Sequence, residues 1–429
     1  MKTTTKESTK IKILKTAFSF YKKPCLTHVS LGDIAKKAGI SKAAIFKHFR
    51  NKEELLTQME DHFFSVVADF ILSTYKNLAD AIWAKDVSIY RIILRNSVKT
   101  FFENPEYLFY MLSLLAYAQK GNYYLREKLN HKLEERGLSL CLIGSSLGVN
   151  YSTEQSQIFD ISKHTAISYA FASTFFFLSY HILNSENTEI PDQKEVLCTF
   201  LADLLDFGFY KPENRISTER MKEIEKSAVI DFSKIPEPNP FFKALASIVN
   251  TCGLPGVTIE RLAKELGMAK SSLYTYSSSK NEFIFNLLRE ELTSMISVLN
   301  QVCKNFKNNV ELSYAFIYTA TQYFLNRKDV LVTFQWIRMT GRIFPDTKNL
   351  AENIIQNLDD DADSFGLQEN DTSSFKMQKE TFYSWLSAVA SSFVLQKNNH
   401  NLSDEQIFEI IRICFSYIQS GLTNCNSNK

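Results

Sequence analysis

The sequence has few glycines and prolines and no recognisable pattern of cysteines. Its 429 residues include only 13 Gly and 9 Pro, which argues against a many-turned all-β fold and favours helices joined by short loops. The seven cysteines are an odd number and form no CxxC pair, so we expect neither a disulfide framework nor a zinc site, and a reducing compartment is favoured. Hydrophobic residues make up 45% of the chain and charged residues 22%, which indicates a globular protein of two to four domains.

The sequence also lacks the motifs of common enzyme classes. We find no nucleophile elbow, P-loop, dinucleotide fingerprint or calcium-loop spacing. The seven histidines are dispersed, and the acidic run DDDAD at 359–363 is interpreted as a solvated loop. The sequence therefore predicts no catalytic residue, no metal and no cofactor, and we do not expect an enzyme.

One segment, 165–184, carries no formal charge over a membrane-spanning length. Serine, threonine and histidine interrupt it, so a buried or interface helix is favoured over a transmembrane span. The first ten residues, MKTTTKESTK, have no apolar core and do not indicate a secretory signal. A cytoplasmic protein without a membrane partner is predicted.

The chain contains an internal repeat. The segment SLGDIAKKAGISKAAIFKHF (30–49) aligns without gaps with TIERLAKELGMAKSSLYTYS (258–277), at a constant offset of 228 residues. Each copy ends in an apolar helix followed by a glycine, Gly208 or Gly421, where a left-handed C-terminal cap is expected. We call residues 1–210 copy 1 and residues 239–429 copy 2.

The repeat predicts an all-α fold of two tandem units, each with a small N-terminal headpiece and a larger helical domain. The predicted domains are headpiece 1 (1–55), helical domain 1 (56–210), a linker (211–238), headpiece 2 (239–283) and helical domain 2 (284–429). Prolines near the end of the linker favour an extended backbone, whereas its middle, ISTERMKEIEKSAVI, is predicted to form a short helix.

Headpiece 1 has the capping residues of two crossing helices. Ser30 and Asp33 are spaced for a capping box at the start of one helix. Gly39 lies where a tight turn needs a positive φ, and Ser41 can cap the following short helix. The small residues that follow would allow this second helix to approach base edges closely in a major groove of DNA.

The stretch from Ile13 to Leu55 resembles the headpiece of TetR-family transcriptional regulators. The resemblance implies that each unit consists of a three-helix DNA-binding headpiece and a helical ligand-binding and dimerisation domain. At the positions of the family's pattern this sequence has Ser30, Ile34-Ala35, Ala38-Gly39-Ile40-Ser41, Ile45-Phe46, His48-Phe49, Asn51-Lys52 and Leu55. The resemblance implies contacts with DNA from Ser30, Ser41, Lys42, Ala43, Ala44, Phe46, Lys47, His48 and Lys52. Two positions depart from the family: Phe46 replaces a tyrosine whose hydroxyl often meets a phosphate, and His48 replaces a second aromatic residue.

Headpiece 2 keeps the pattern but carries less positive charge. The resemblance implies DNA contacts from Thr258, Lys270, Ser271, Ser272, Tyr274, Tyr276 and Lys280. Ala269 takes the place of the capping serine, and Ser277 takes that of a core phenylalanine. Residues 11–55 hold ten basic and three acidic residues, a net +7, whereas residues 239–283 hold five and three, a net +2. We therefore expect headpiece 1 to bind DNA more strongly. Headpiece 2 is either a weaker binder or a degenerate module kept for packing or pairing.

The remaining helices of each copy are rich in aromatic residues. The resemblance implies a cavity for a small apolar or amphipathic effector, but an ordinary core explains any single aromatic residue better, so no ligand-binding residue is predicted. Segments 165–183 with 195–207, and 376–395 with 405–420, resemble the family's dimerisation helices, which form a four-helix bundle. The two copies are thus predicted to pair within one chain, with a homodimer as the alternative.

Together these features predict a sequence-specific transcriptional regulator that binds double-stranded DNA, a repressor released by a small-molecule effector. The alternative is a helical protein–protein interaction module that pairs with another regulator without binding DNA. The net +7 of headpiece 1 argues against this alternative.

Overall fold

Every regular element in the described part of the chain is a helix, which confirms the predicted all-α fold. The structure is a computed structural model, and it describes residues 9–21, 29–84, 89–116, 121–139, 161–184, 193–253, 256–276, 280–306, 308–339, 377–399 and 401–424. The α-helices of copy 1 are α1 (Thr9–Phe18), α2 (Leu31–Ala38), α3 (Lys42–Phe46), α4 (Lys52–Ala84), α5 (Ile89–Glu103), α6 (Pro105–Ala116), α7 (Gly121–Glu134), α8 (Ile161–Asn184) and α9 (Gln193–Phe207). The linker holds α10 (Thr218–Ser227), and copy 2 contains α11 (Pro240–Cys252), α12 (Ile259–Glu265), α13 (Lys270–Leu273), α14 (Lys280–Cys303), α15 (Asn309–Asn326), α16 (Lys328–Met339), α17 (Lys379–Asn399) and α18 (Asp404–Asn424).

The chain divides into two compact units, Met1–Gln155 and Ser156–Lys429. Unit 1 contains headpiece 1 and α4 to α7. Unit 2 contains the last two helices of copy 1, the linker and all of copy 2. The predicted helical domain 1 therefore contributes helices to both compact units, because α8 and α9 pack on helices of copy 2.

In unit 1, headpiece 1 is a small bundle whose apolar residues face inward. Residues of α1 to α3 and the start of α4 form its core: Ile13, Leu14, Ala17, Phe18, Ile34, Ala35, Ala38, Ile45, Phe49 and Leu55. The ring of Phe18 also makes edge contacts with Tyr107 and Tyr110 of α6, at centroid distances of 4.9 and 5.1 Å. These aromatic contacts join headpiece 1 directly to the helices that follow it.

In unit 2, helices α8 and α9 of copy 1 pack against α17 and α18 of copy 2. The indole of Trp385, which is fully buried, donates a hydrogen bond to Ser173 Oγ at 3.1 Å. A second bond, 2.9 Å long, joins Thr381 Oγ1 to the hydroxyl of Tyr180. A buried polar group that loses its hydrogen-bond partner costs free energy. These two bonds therefore favour the one register of α8 on α17 in which both are made.

Gly208, which follows α9, and Gly421, which interrupts α18 near its C-terminus, each lie against the other's helix. A Cβ on Gly208 would lie 2.4 Å from the backbone nitrogen of Ser420, and a Cβ on Gly421 would lie 2.3 Å from the carbonyl oxygen of Asp206. Both glycines have positive φ, as predicted, but Gly421 has ψ 173° and is therefore not in the left-handed helical region. Its extended ψ accompanies a close approach of two backbones that only glycine permits.

The linker forms the predicted short helix, α10, and is bound to copy 2 by side-chain amides. Gln322 donates to the carbonyl of Ala228 at 2.6 Å and accepts from the N–H of Ile230 at 3.2 Å. Gln419 binds the N–H and the carbonyl of Ile216 in the same way, at 2.8 and 3.3 Å. These paired bonds satisfy linker backbone groups that no regular helix satisfies.

One described helix segment, His164–Leu183, is long and apolar enough to cross a membrane by length and composition. Within unit 2 its residues Tyr169, Ser173 and Phe177 are fully buried. A buried serine that accepts a hydrogen bond from Trp385 is typical of a helix packed in a protein interior. This packing agrees with the prediction of an interface helix.

Candidate nucleic-acid interface

In headpiece 1, α2 and α3 are joined by a tight turn at Gly39. This glycine has φ 67° and ψ 36°, in the left-handed region, and its N–H donates to carbonyls at the end of α2. Ile40 N–H then donates to the carbonyl of Ala35 at 3.0 Å. Both bonds satisfy carbonyls at the C-terminus of α2, so this turn fixes the direction in which α3 leaves it.

Side-chain caps define the starts of α2 and α3 as the sequence predicts. Ser30 and Asp33 form a reciprocal capping box on α2. The oxygen of Ser41 accepts the N–H of Ala44 at 3.1 Å and caps α3. Such caps stabilise a helix by about 1 kcal/mol each, which matters for a helix as short as α3.

Helix α3 has one buried side and one exposed side. Ile45 and the following Phe49 are buried in the core of headpiece 1. The predicted contact residues on the other side are Ser41, Lys42, Ala43, Phe46 and Lys47, which are exposed, and Ala44 and His48, which are half-buried. Phe46 is 48% exposed, so α3 presents an aromatic ring to solvent among cations.

The ammonium groups of Lys42 and Lys47 are exposed. Neither makes a hydrogen bond or an ion pair with another residue in the part of the chain that the structure describes. The helix they flank contains no acidic residue. This side of α3 is therefore a positive surface whose charges are available to an anionic partner such as a phosphate.

The two predicted serine contacts differ in what their hydroxyl groups already do. Ser30 Oγ donates to the carboxylate of Asp33 at 2.6 Å, and this bond lowers the pKa of Asp33. A phosphate that accepted from Ser30 would have to displace this bond. Ser41 Oγ instead accepts from a backbone N–H, which leaves its own proton for a phosphate oxygen. Lys52, the last predicted contact of headpiece 1, begins α4 and is half-buried.

Headpiece 2 has the same frame of buried residues and turn. Gly267 has φ 64° between α12 and α13, and Leu273, the counterpart of Ile45, is buried. The N-cap of α13 is Ala269, which offers no side-chain hydrogen bond. The loss of the cap accompanies a four-residue α13, against five residues in α3.

The exposed surface of headpiece 2 differs from that of headpiece 1 in charge. Lys270 forms an ion pair with the carboxylate of Glu260 on α12. This pairing raises the pKa of Lys270 and lowers that of Glu260. Sequence reasoning missed Glu260, although its replacement of Gly32 at the constant offset is visible in the repeat.

The other predicted residues of headpiece 2 are divided between exposed and half-buried positions. Ser271, Tyr274 and Tyr276 are exposed, and Thr258, the N-cap of α12, is half-buried together with Ser272. The ring of Tyr276 packs on Phe241 of α11 at 4.9 Å. Lys280 begins α14, but its side chain and the whole of Ser277 lie outside the described residues.

Among the described residues, no group of three or more histidine, cysteine or acidic side chains could hold a metal ion. The thiol of Cys303 is buried, and burial raises its pKa to about 12, which disfavours the reactive thiolate. The described residues therefore supply no evidence for a metal site, and Cys303 is not a reactive thiolate.

Comparison with known proteins finds a family model that matches headpiece 1. Residues 13–59 match the family model described as bacterial regulatory proteins, tetR family. No curated protein matches the chain. The matched segment runs from α1 through the α2–turn–α3 pair into α4, and therefore contains the whole exposed surface of α3. Headpiece 1 is thus similar to the N-terminal DNA-binding domain of tetR-family regulators, and the match supports a transcription regulator of that family.

Proposed function

We propose that the chain is a cytoplasmic, sequence-specific transcriptional regulator in which α3 of headpiece 1 enters the major groove of DNA. The observation that carries this proposal is the exposed side of α3, whose two lysines pair with no other residue in the described ranges. Lys42 and Lys47 flank two alanines there, and small side chains allow a helix to approach base edges closely. Phosphate contacts from the lysines supply affinity, whereas groove contacts from α3 supply specificity.

We further propose that copies 1 and 2 pair within one chain and so act as an intramolecular dimer. The reciprocal contacts of Gly208 and Gly421 support it, because equivalent residues meet across an interface when two like units pair symmetrically. The buried bond between Trp385 and Ser173 also supports it, since it joins a residue of copy 2 to one of copy 1. A homodimer, in which each copy pairs with the other chain, is the alternative.

Repression that is relieved by a small apolar or amphipathic effector completes the proposal. Its support is the aromatic contact of Phe18 in headpiece 1 with Tyr107 and Tyr110 of α6. A ligand that binds differently to two arrangements of α4 to α7 would shift α6 and, through these rings, headpiece 1. An apolar compound that releases the chain from its DNA site would support this step, whereas binding that releases no DNA would contradict it.

Selection of bound fragments from random DNA tests the function directly. The full chain is expected to enrich one sequence, and Lys42→Ala with Lys47→Ala is expected to weaken binding to that sequence by about 10-fold or more. The dependence of affinity on salt should also become shallower by about one to two in slope. Affinity is measured by fluorescence anisotropy over a range of salt concentrations.

The matched control removes two lysines elsewhere. Lys222 and Lys226 lie exposed on α10 of the linker, so Lys222→Ala with Lys226→Ala changes the net charge equally without touching a headpiece. If both double variants weaken binding equally, the effect is one of total charge and α3 is not the DNA-binding helix. If no sequence is enriched at all, the protein–protein interaction module predicted as the alternative replaces this proposal.

A further inference from the structure

Headpiece 2 carries an acidic residue at a position where headpiece 1 has none. Glu260 is the second residue of α12, directly after the N-cap Thr258 and Ile259. At the repeat offset of 228 the equivalent residue is Gly32, the second residue of α2. The two headpieces thus differ in charge at the start of the helix whose N-terminus is expected to approach a phosphate.

The carboxylate of Glu260 reaches across to the neighbouring helix. It accepts a hydrogen bond from the ammonium of Lys270, the first residue of α13, and forms an ion pair with it. Lys270 is the counterpart of Lys42, which has no partner among the described residues. At equivalent positions, Lys42 of headpiece 1 is therefore available to a phosphate, whereas Lys270 of headpiece 2 is paired with Glu260.

The pairing opposes DNA binding in two ways. Lys270 can bind a phosphate only by giving up or sharing its contact with Glu260, so part of the gain from counterion release is lost. A carboxylate placed near a phosphate is also repelled by it, and such like-charge contacts are a common means of rejecting a partner. Both effects act only when α13 approaches DNA.

We propose that Glu260 is a specificity-determining residue that keeps headpiece 2 from binding DNA tightly, so that tight contact is confined to headpiece 1. This inference rests on the proposed function, because it assumes that the chain binds DNA. It predicts an operator with one strongly bound half and one weakly bound half. The kind of partner excluded is a phosphate of double-stranded DNA at the surface formed by α12 and α13.

Replacement of Glu260 by glutamine tests the proposal while preserving the size of the side chain. An exposed ion pair contributes little to folding stability, so the full chain is expected to fold. Affinity for the selected DNA should rise by about 3- to 10-fold near physiological salt, and the salt dependence should steepen by about one. Lys270→Ala alone should change affinity by less than about 2-fold, but in the Glu260→Gln background it should abolish the gain.

The matched control is Glu265→Gln in the same helix. Glu265 is exposed and accepts a hydrogen bond from Ser247 of α11 instead of pairing with Lys270. The substitution removes the same charge from the same headpiece. Equal gains from Glu260→Gln and Glu265→Gln would show a general effect of net charge and would overturn the proposal.

The reciprocal experiment transfers the carboxylate to headpiece 1. A Cβ at Gly32 would meet only Ser30 Oγ, at 3.4 Å, so a side chain fits there. Gly32→Glu should pair with Lys42 and weaken DNA binding by about 10-fold relative to Gly32→Gln, which adds the same bulk without charge. Equal affinities of the two variants would overturn the proposal.

Failure of the proposal can be distinguished from failure of the proposed function. If the wild-type chain binds its selected DNA and the Lys42 and Lys47 variant does not, but Glu260→Gln gives no gain, only the role of Glu260 is wrong. If the wild-type chain binds no DNA, the proposed function fails, and with it the claim that tight contact is confined to headpiece 1. DNA binding by Glu260→Gln alone would then still show that Glu260 blocks headpiece 2. Binding by neither chain overturns both.

Discussion

The two headpieces share their buried residues and differ on their surfaces. Gly39 and Gly267 have nearly the same φ, and Ile45 and Leu273 are equivalent core residues. On the outside, headpiece 1 has a capped α3 whose Lys42 and Lys47 pair with no other described residue, whereas headpiece 2 has an uncapped α13 whose Lys270 pairs with Glu260. The fold of a headpiece therefore depends on a few apolar and glycine positions, whereas the DNA binding proposed for it would depend on exposed positions.

The C-terminal helices of the two copies, unlike the headpieces, share one surface. There the two copies meet, and Gly208 and Gly421 are both required by the close approach of the two backbones. A surface used by one copy alone can change without effect on the other, whereas a shared surface must stay complementary. The headpieces accordingly differ in charge, whereas both of the paired helix ends carry a glycine.

The largest expected difference between the headpieces is in DNA affinity, when the same kind of core residue is shortened to alanine in each. Ile45→Ala and Leu273→Ala each remove a buried side chain and should cost about 2–5 kcal/mol of local stability. Ile45→Ala is expected to lower DNA affinity in proportion to the fraction of headpiece 1 that it unfolds, by about 100-fold where only about 1% of the headpiece remains folded. Leu273→Ala should change affinity by less than about 3-fold. Hydrogen exchange measures the local stability and anisotropy measures the affinity. A large loss of affinity from Leu273→Ala would show that headpiece 2 binds DNA as strongly as headpiece 1.

A symmetric effect, with little difference between the two copies, is expected where the copies meet. Gly208→Ala and Gly421→Ala should each destabilise unit 2 by about 2–5 kcal/mol, because alanine is strained at positive φ and its Cβ would clash with backbone atoms. The control is Gly267→Ala, where φ is also positive but nothing lies within 4 Å of the added Cβ; it should cost only about 1–2 kcal/mol. Urea denaturation measures all three. If only one of the two bundle variants is destabilised, the contacts are not reciprocal.

The smallest expected effects concern the helix caps. Ser41→Ala should destabilise headpiece 1 by about 1 kcal/mol, and Ala269→Ser should stabilise headpiece 2 by a similar amount. Ser41→Ala is also expected to weaken DNA binding a few-fold, because it removes a hydroxyl that can donate to a phosphate, at about 1 kcal/mol per bond. Ala269→Ser should leave DNA affinity unchanged while Glu260 is present. Thermal denaturation measures the stability, and anisotropy measures the DNA affinity. A gain of affinity from Ala269→Ser alone would show that headpiece 2 binds DNA weakly because it lacks the cap.

The local features of the fold could be predicted from the sequence because their causes lie within a few residues. The capping box of Ser30, the turn at Gly39 and the cap at Ser41 follow from the spacing of polar residues and glycine. The short linker helix α10 was predictable for the same reason, and its N-cap is Ser217. Because the repeat has a constant offset, the same turn and helices could be predicted for headpiece 2.

Features that depend on tertiary contacts could not be predicted in this way. The ion pair of Glu260 with Lys270 joins two helices across a turn, so the spacing of ten residues alone does not show it. The extended ψ of Gly421 depends on the backbone of α9, far away in sequence. The boundary of the compact units at 155 depends likewise on the packing of α8 and α9 against copy 2.

The most direct measurement of which headpiece binds DNA is site-specific photocrosslinking at two equivalent positions. Ala43 in α3 and Ser271 in α13 are both exposed and are related by the repeat offset. A photoreactive amino acid placed at each in turn, in the full chain bound to its selected fragment, should crosslink strongly to DNA from position 43 and weakly from position 271. Strong crosslinking from position 271 with none from position 43 would contradict the assignment of headpiece 1 as the DNA-binding element.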